Sequence, residues 1–257
     1  MCKFIAERII TCQCTNENLG NSLTKRDFRL QSGNLVYKMR FSFTKRDSWV
    51  TNGTLALHFT PVNRIYKDRL YKMIFNDKSE LLKLYNAING THYDDPAMLT
   101  ITTLDNAIYM TMENDLSFII DMRLALYEQQ STVNPNLPLR FLMYIADIYS
   151  AYVKDMNIYS SKKLQIPLPS FVIFYNGVQS QPDRAEFLLS ELFHPTSNEP
   201  ALELKAVMLN INKGHNQELM NACHTLRDYS EYVARIRTYS GKMPLADAVE
   251  KTITECI

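Results

Sequence analysis

Tyr127-Glu128-Gln129-Gln130-Ser131-Thr132 closes an apolar run, Leu124-Ala125-Leu126-Tyr127, that reads as a buried strand. Side chains at i and i+2 of a strand share one face, roughly 6.5–7 Å apart. Leu124, Leu126, Glu128 and Gln130 therefore form one row, apolar at its start and polar at its end. A carboxylate and a carboxamide ending a buried strand are hard to explain as packing. Upstream, Asp115 stands just before a second apolar run, Leu116 to Ile120. Two acids and an amide brought together by neighbouring strands could hold a divalent cation. Mg²⁺ prefers oxygen ligands and usually takes one or two protein carboxylates, leaving its other positions to water and phosphate. Such an ion activates water and offsets the charge that develops in phosphodiester hydrolysis. The competing reading leaves Glu128 and Gln130 solvated on an edge strand.

Three further residues bear on this cluster. Arg140 begins the helix that follows and could contact phosphate or order the acids; a surface salt bridge accounts for it equally well. Glu80 could approach from an early helix, although its spacing from Asp77 matches a capping box. Asp121 is an alternative acid whose place in a hairpin turn favours a structural role.

The elements that must position these groups follow from periodicity. Tyr66 to Phe75 carries apolar residues at helical spacing, and a second helix, Leu81 to Asn89, opens at an Asp77 N-cap and stops at Gly90. Leu99 to Thr102 is extended. Ala107 to Met112, Leu116 to Ile120 and Arg123 to Gln130 read as three strands, the last two a hairpin joined by Asp121-Met122. Leu137 to Val153 is a strong helix. Ser170 to Tyr175 is a continuous apolar run, as for a strand covered on both faces, and Asn176-Gly177 turns the chain. Arg184 to Phe193 is expected to be helical and Leu202 to Ile211 strand-like. The chain is then helical from His215, with Asn216 as a cap and breaks near Gly241 and Pro244. The polar loop Asn210 to Asn216 reads first as a helix start and second as a functional loop. This order predicts an α/β core with a mixed sheet.

Composition is that of an ordinary globular protein: 257 residues, 46% hydrophobic, 21% charged, net charge +1. That balance excludes a global field drawing the chain to nucleic acid or membrane, though a local basic groove remains open. Five cysteines cluster near the ends (Cys2, Cys12, Cys14, Cys223, Cys256), and none completes a zinc site with His or Cys at ligand spacing. No run reaches the roughly 18 apolar residues of a membrane span. A cytoplasmic protein with no membrane partner is expected. Residues 1–62 lack the clear periodicity of residues 63–257 and are expected to be an atypical, poorly ordered extension. There is no Gly-rich phosphate loop and no nucleophile elbow. Tyr144, Tyr149, Tyr152 and Tyr159 are read as packing, with stacking on unpaired bases as the alternative.

Asn114-Asp115, Tyr127 to Thr132 and Asn134-Pro135-Asn136-Leu137-Pro138-Leu139-Arg140 together resemble the recombination-promoting nuclease and putative transposase family. Phe171 to Gly177, Leu209 to Asn212 and Gly214-His215-Asn216 extend the resemblance, which covers residues 64–257. It implies the PD-(D/E)XK, or restriction-endonuclease-like, fold and a metal-dependent DNA endonuclease linked to recombination or mobile elements. Asp115 and Glu128 would be the metal ligands, for Mg²⁺ or Mn²⁺, and Gln130 would complete the catalytic set. Gln130 stands where many members of that superfamily carry lysine. A neutral amide can orient a water by hydrogen bonding, whereas a lysine supplies charge as well. The partner implied is DNA, and a homodimer would provide two sites for two strands. The competing class is a nuclease-fold protein with weak or lost chemistry, acting as a DNA-binding or interaction module.

Overall fold

A computed structural model describes residues 25–32, 35–42, 66–102 and 115–256. Strands β1 (Lys25–Ser32) and β2 (Leu35–Ser42) pair antiparallel as a separate two-stranded sheet. The rest of the N-terminal segment, including the strand-like Leu55 to Phe59, lies outside the described residues, as does the strand expected at Ala107 to Met112.

Helix α1 (Tyr66–Phe75) is followed by α2 (Lys78–Asn89). The Asp77 carboxylate accepts from the amides of Ser79 and Glu80, and Gly90 ends the helix at φ 63°, where a Cβ would be strained. A short 3₁₀ turn, Pro96–Met98, leads into β3 (Thr100–Ile101). Strands β4 (Leu116–Ile120) and β5 (Arg123–Gln130) form the expected hairpin. Its two connecting residues, Asp121 and Met122, both take left-handed φ angles of 45° and 55°, the twist a two-residue hairpin needs. Helix α3 (Leu137–Tyr152) crosses over to β6 (Leu168–Tyr175), which lies parallel to β5.

Arg184 to Phe193 is not a helix. It forms β7 (Arg184–Leu188) and a 3₁₀ turn, Leu189–Leu192. The period along Arg184-Ala185-Glu186-Phe187 is two rather than 3.6, and Ala185 and Phe187 pack inward. Pairing with β8 (Lys205–Asn210) satisfies the backbone. The chain ends in α4 (Gln217–Ala222), α5 (His224–Ser240) and α6 (Leu245–Cys256). Asn216 precedes α4 at φ 44°, but its side chain makes no cap. It donates instead to the carbonyls of Asp183 and Asn210, 2.6 and 2.9 Å away, tying the loop to the start of β7.

The main sheet has six strands in the order β3-β4-β5-β6-β8-β7, with β5, β6 and β8 parallel and the outer pairs antiparallel. Both faces are covered, which explains the unbroken apolar runs of β5 and β6. On one face, Leu116, Phe118, Tyr127, Phe174 and Leu209 pack under α1, α2 and α5. Aromatic rings cross that face from Tyr85 through Phe118, Tyr127 and Phe174 to Tyr71 and Tyr229, with centroid separations of 5.3–5.7 Å. On the other face, Leu124, Leu126, Ile173 and Met208 pack against Phe141, Tyr144 and Ile148 of α3. Among the described residues, no helix is long and apolar enough to cross a membrane.

Candidate functional site

The parallel strands finish level with one another: Gln130 pairs with Tyr175, and Tyr175 with Asn210. Clefts at the carboxyl ends of parallel strands are the usual ligand sites of open α/β sheets. The hairpin register brings the start of β4 to the same edge. Leu116 pairs with Tyr127, so Asp115, one residue earlier, continues the strand line opposite Glu128.

The two acids are linked directly. The Asp115 backbone N–H donates to Glu128 Oε1 at 3.3 Å. The Asp115 carboxylate Oδ2 accepts from the Gln129 backbone N–H at 2.7 Å. Its other oxygen, Oδ1, lies 3.1 Å from the Lys72 ammonium of α1. Glu128 is 2% exposed, and its nearest cation is Arg140 of α3, whose Nη2 lies 3.7 Å from Oε2. Arg140 is itself steered by Tyr144, whose hydroxyl oxygen accepts from Nε and Nη2 at 3.3 and 2.8 Å. Gln129, between Glu128 and Gln130, turns to the opposite face and is buried. Gln130 points back to the Glu128 side and is half-buried.

Burial pushes the Glu128 carboxyl up to about 8, and the neighbouring Asp115 charge adds to the shift; Arg140 and Lys72 pull the other way without cancelling it. Asp68, on the first turn of α1, is also held above the ordinary carboxylate range, by burial first and by Asp115 second. Lys67 beside it is lowered to about 8 by burial and by the approach of Arg237 from α5. The corner thus gathers acids and cations from α1, α3, α5, β5 and the lead-in to β4.

Of the residues marked in the sequence, Asp115, Glu128, Gln130 and Arg140 meet here. Glu80 does not. Its carboxylate accepts from the Thr225 hydroxyl of α5 and pairs with Lys83 at 2.8 Å, so it fastens α2 to α5 rather than bonding back to the Asp77 amide. Asp121 does not either. It sits in the turn at the far end of the hairpin, where the Tyr93 hydroxyl donates to it at 3.1 Å. Five residue steps of extended strand, Arg123 to Glu128, separate that turn from Glu128, roughly 17 Å. Lys72 and Asp68 were not singled out from sequence. Their only local signal is a charged face on an amphipathic helix, which is usually just solvated. Tyr144 and Tyr149 are bonded within the fold, Tyr149 to the Pro167 carbonyl at 2.6 Å, whereas Tyr159 is 92% exposed.

Among the described residues, no group of three or more His, Cys, Asp or Glu side chains stands close enough to hold a metal ion. A cation here would draw on two carboxylates only. That donor set is all oxygen and fits Mg²⁺ or Mn²⁺, which keep several water ligands. A buried carboxyl whose charge is resisted by a second carboxylate is also a place where added positive charge is favourable. No family model, curated protein or solved structure matches the chain.

Proposed function

We propose that the chain is a metal-dependent DNA endonuclease with a restriction-endonuclease-like core. The observation that carries this reading is the Asp115–Glu128 pair, held across the β4–β5 hairpin at the carboxyl edge of the parallel strands and flanked by cations from two helices. Asp115 and Glu128 are the groups that would hold Mg²⁺ or Mn²⁺. Bound there, the ion would supply positive charge to a phosphodiester oxygen and lower the pKa of a water. Gln130, on the Glu128 side of β5, orients the attacking water through its carboxamide. Arg140 and Lys72 reach the corner from opposite faces of the sheet and contact phosphate oxygens. Lys72 also brings a positive charge to the site that lacks one at position 130. Two copies of the chain acting as a homodimer would cut both strands of a duplex.

A second reading has one observation in its favour. The Lys72 ammonium already neutralises Asp115, so the pair can be complete without a metal. The chain would then be a DNA-binding module without chemistry.

Plasmid nicking with Mg²⁺ decides between them. Wild type should nick, and Asp115→Asn and Glu128→Gln should each lose the activity while remaining folded. Equal rates in all three proteins would trace the cutting to a contaminant and end the nuclease assignment. No Mn²⁺ binding by calorimetry, together with salt-dependent DNA binding, would select the module instead.

A further inference from the structure

We infer that Arg237, on α5, is a positioning residue that clamps the Tyr175-Asn176-Gly177 turn to the end of β5 and thereby sets where Gln130 stands. The strand turn Asn176-Gly177 and the polar loop after β8 both stand out in the sequence, and neither is used by the chemistry proposed above. The structure joins them through one guanidinium. Arg237 Nη2 donates to both the backbone oxygen and the side-chain Oδ1 of Asn176, the latter at 2.5 Å. Its Nη1 donates to Asn212 Oδ1 at 2.7 Å.

Each partner is itself fastened to a strand end. The Asn176 backbone N–H donates to the Gln130 carbonyl at 2.8 Å, which is the last bond holding β5 to the turn. Gly177 crosses the Ser131 carbonyl so closely that a Cβ would collide with it. Asn212 donates from its backbone N–H and its Nδ2 to Asn210 Oδ1, at 3.1 and 2.9 Å. The Ile211 amide donates to the Tyr175 carbonyl at 2.9 Å. Asn176 and Asn210 are both 1% exposed, so these bonds are shielded from water.

Helix α5 is a firm base for the clamp, because Tyr232, Val233 and Ile236 are buried in the core. The path from Arg237 to Asn176 to Gln130 is therefore two bonds long and runs between rigid elements. A guanidinium presents several donors in one plane and can serve Asn176 and Asn212 at once, whereas an ammonium on a lysine stem lacks that fork.

The catalytic arm of the test rests on the nuclease reading; the structural arm does not. Full-length wild type, Arg237→Ala and Arg237→Lys are compared by amide hydrogen exchange and by plasmid cleavage with Mg²⁺. The Asn176 amide should exchange about a hundredfold faster in Arg237→Ala, while the ladder amides at the far end of the β4–β5 hairpin keep their protection. The kcat should fall about tenfold or more with KM for DNA within about threefold, as expected when a group is misplaced rather than unbound. Millimolar guanidinium should restore part of the rate in Arg237→Ala, and Arg237→Lys should remain impaired. Unchanged exchange at Asn176, or a rate loss that only tracks the folded fraction and resists guanidinium, overturns the inference. If Arg237→Ala fails to fold, Arg237→Lys carries the same exchange and rate comparisons. If wild type cuts no DNA, the nuclease reading fails by itself, and exchange at Asn176 alone decides the clamp.

Discussion

Replacing Glu128 by glutamine should stabilise the protein at alkaline pH, although it removes a charge that pairs with Arg140. Glu128 is 2% exposed, and its carboxyl titrates near 8 in the fold against 4.5 for the ordinary group. Because the folded pKa is the higher one, the folded state binds this proton more tightly than the unfolded chain does. Stability linked to it is fully present below pH 4.5 and is lost as the pH rises to about 8. At about 1.4 kcal/mol per pH unit, the ceiling on that loss is about 5 kcal/mol. Glutamine carries no charge at any of these pH values, and its carbonyl can still accept from the Asp115 amide. The Arg140 contact at 3.7 Å is long and partly solvated, so its removal costs about 0.5 kcal/mol or less. Urea unfolding near pH 4 should find Glu128→Gln and wild type alike. At about pH 8.5 the variant should be ahead by a few kcal/mol. Millimolar Mg²⁺ should narrow the gap by stabilising wild type alone. A variant less stable than wild type at about pH 8.5 would show that the ion pair outweighs burial, and the electrostatic account of the site would fail.

Two other outcomes follow from backbone geometry. Met122→Gly places the preferred residue at a left-handed turn position of φ 55° and should raise stability by about 0.5–1 kcal/mol in urea unfolding, with DNA cleavage unchanged because the turn is at the far end of the hairpin. A fall in stability would mean that the Tyr152–Met122 contact matters more than the turn. Gly177→Ala drives a Cβ into the Ser131 carbonyl and the Tyr175 ring, and should cost about 1–3 kcal/mol and slow cleavage together. Unimpaired stability would show that the Asn176-Gly177 turn has room to move.

Much of the site's scaffold was legible because its rules are local. The Asp77 cap and Gly90 stop of α2, the two-residue turn at Asp121-Met122 and the paired apolar runs of β4 and β5 each depend on residues a few positions apart. The i, i+2 alternation alone was enough to set Glu128 and Gln130 on one face. The same local reading misassigned Arg184 to Phe193, whose five-residue alternation is too short to outweigh a helical pattern until β8 supplies its hydrogen-bond partners. Of the capping box expected at Asp77 and Glu80, only the half made by the Asp77 side chain forms, and a hydroxyl 145 residues away takes the Glu80 carboxylate.

By itself, then, the sequence determined that β4, β5 and β6 are buried strands, where the polar end of β5 falls and which residues turn the chain after β4 and β6, because side-chain period and backbone φ are properties of neighbouring residues. Only the tertiary structure decided what faces those polar ends. Lys72 reaches Asp115 because α1 packs across the sheet. Arg237 reaches Asn176 because α5 returns over the same face from 61 residues downstream. The buried state of Glu128, and with it the charge of the site, exists only once α3 closes over β5, since desolvation belongs to the assembled fold and not to any stretch of chain.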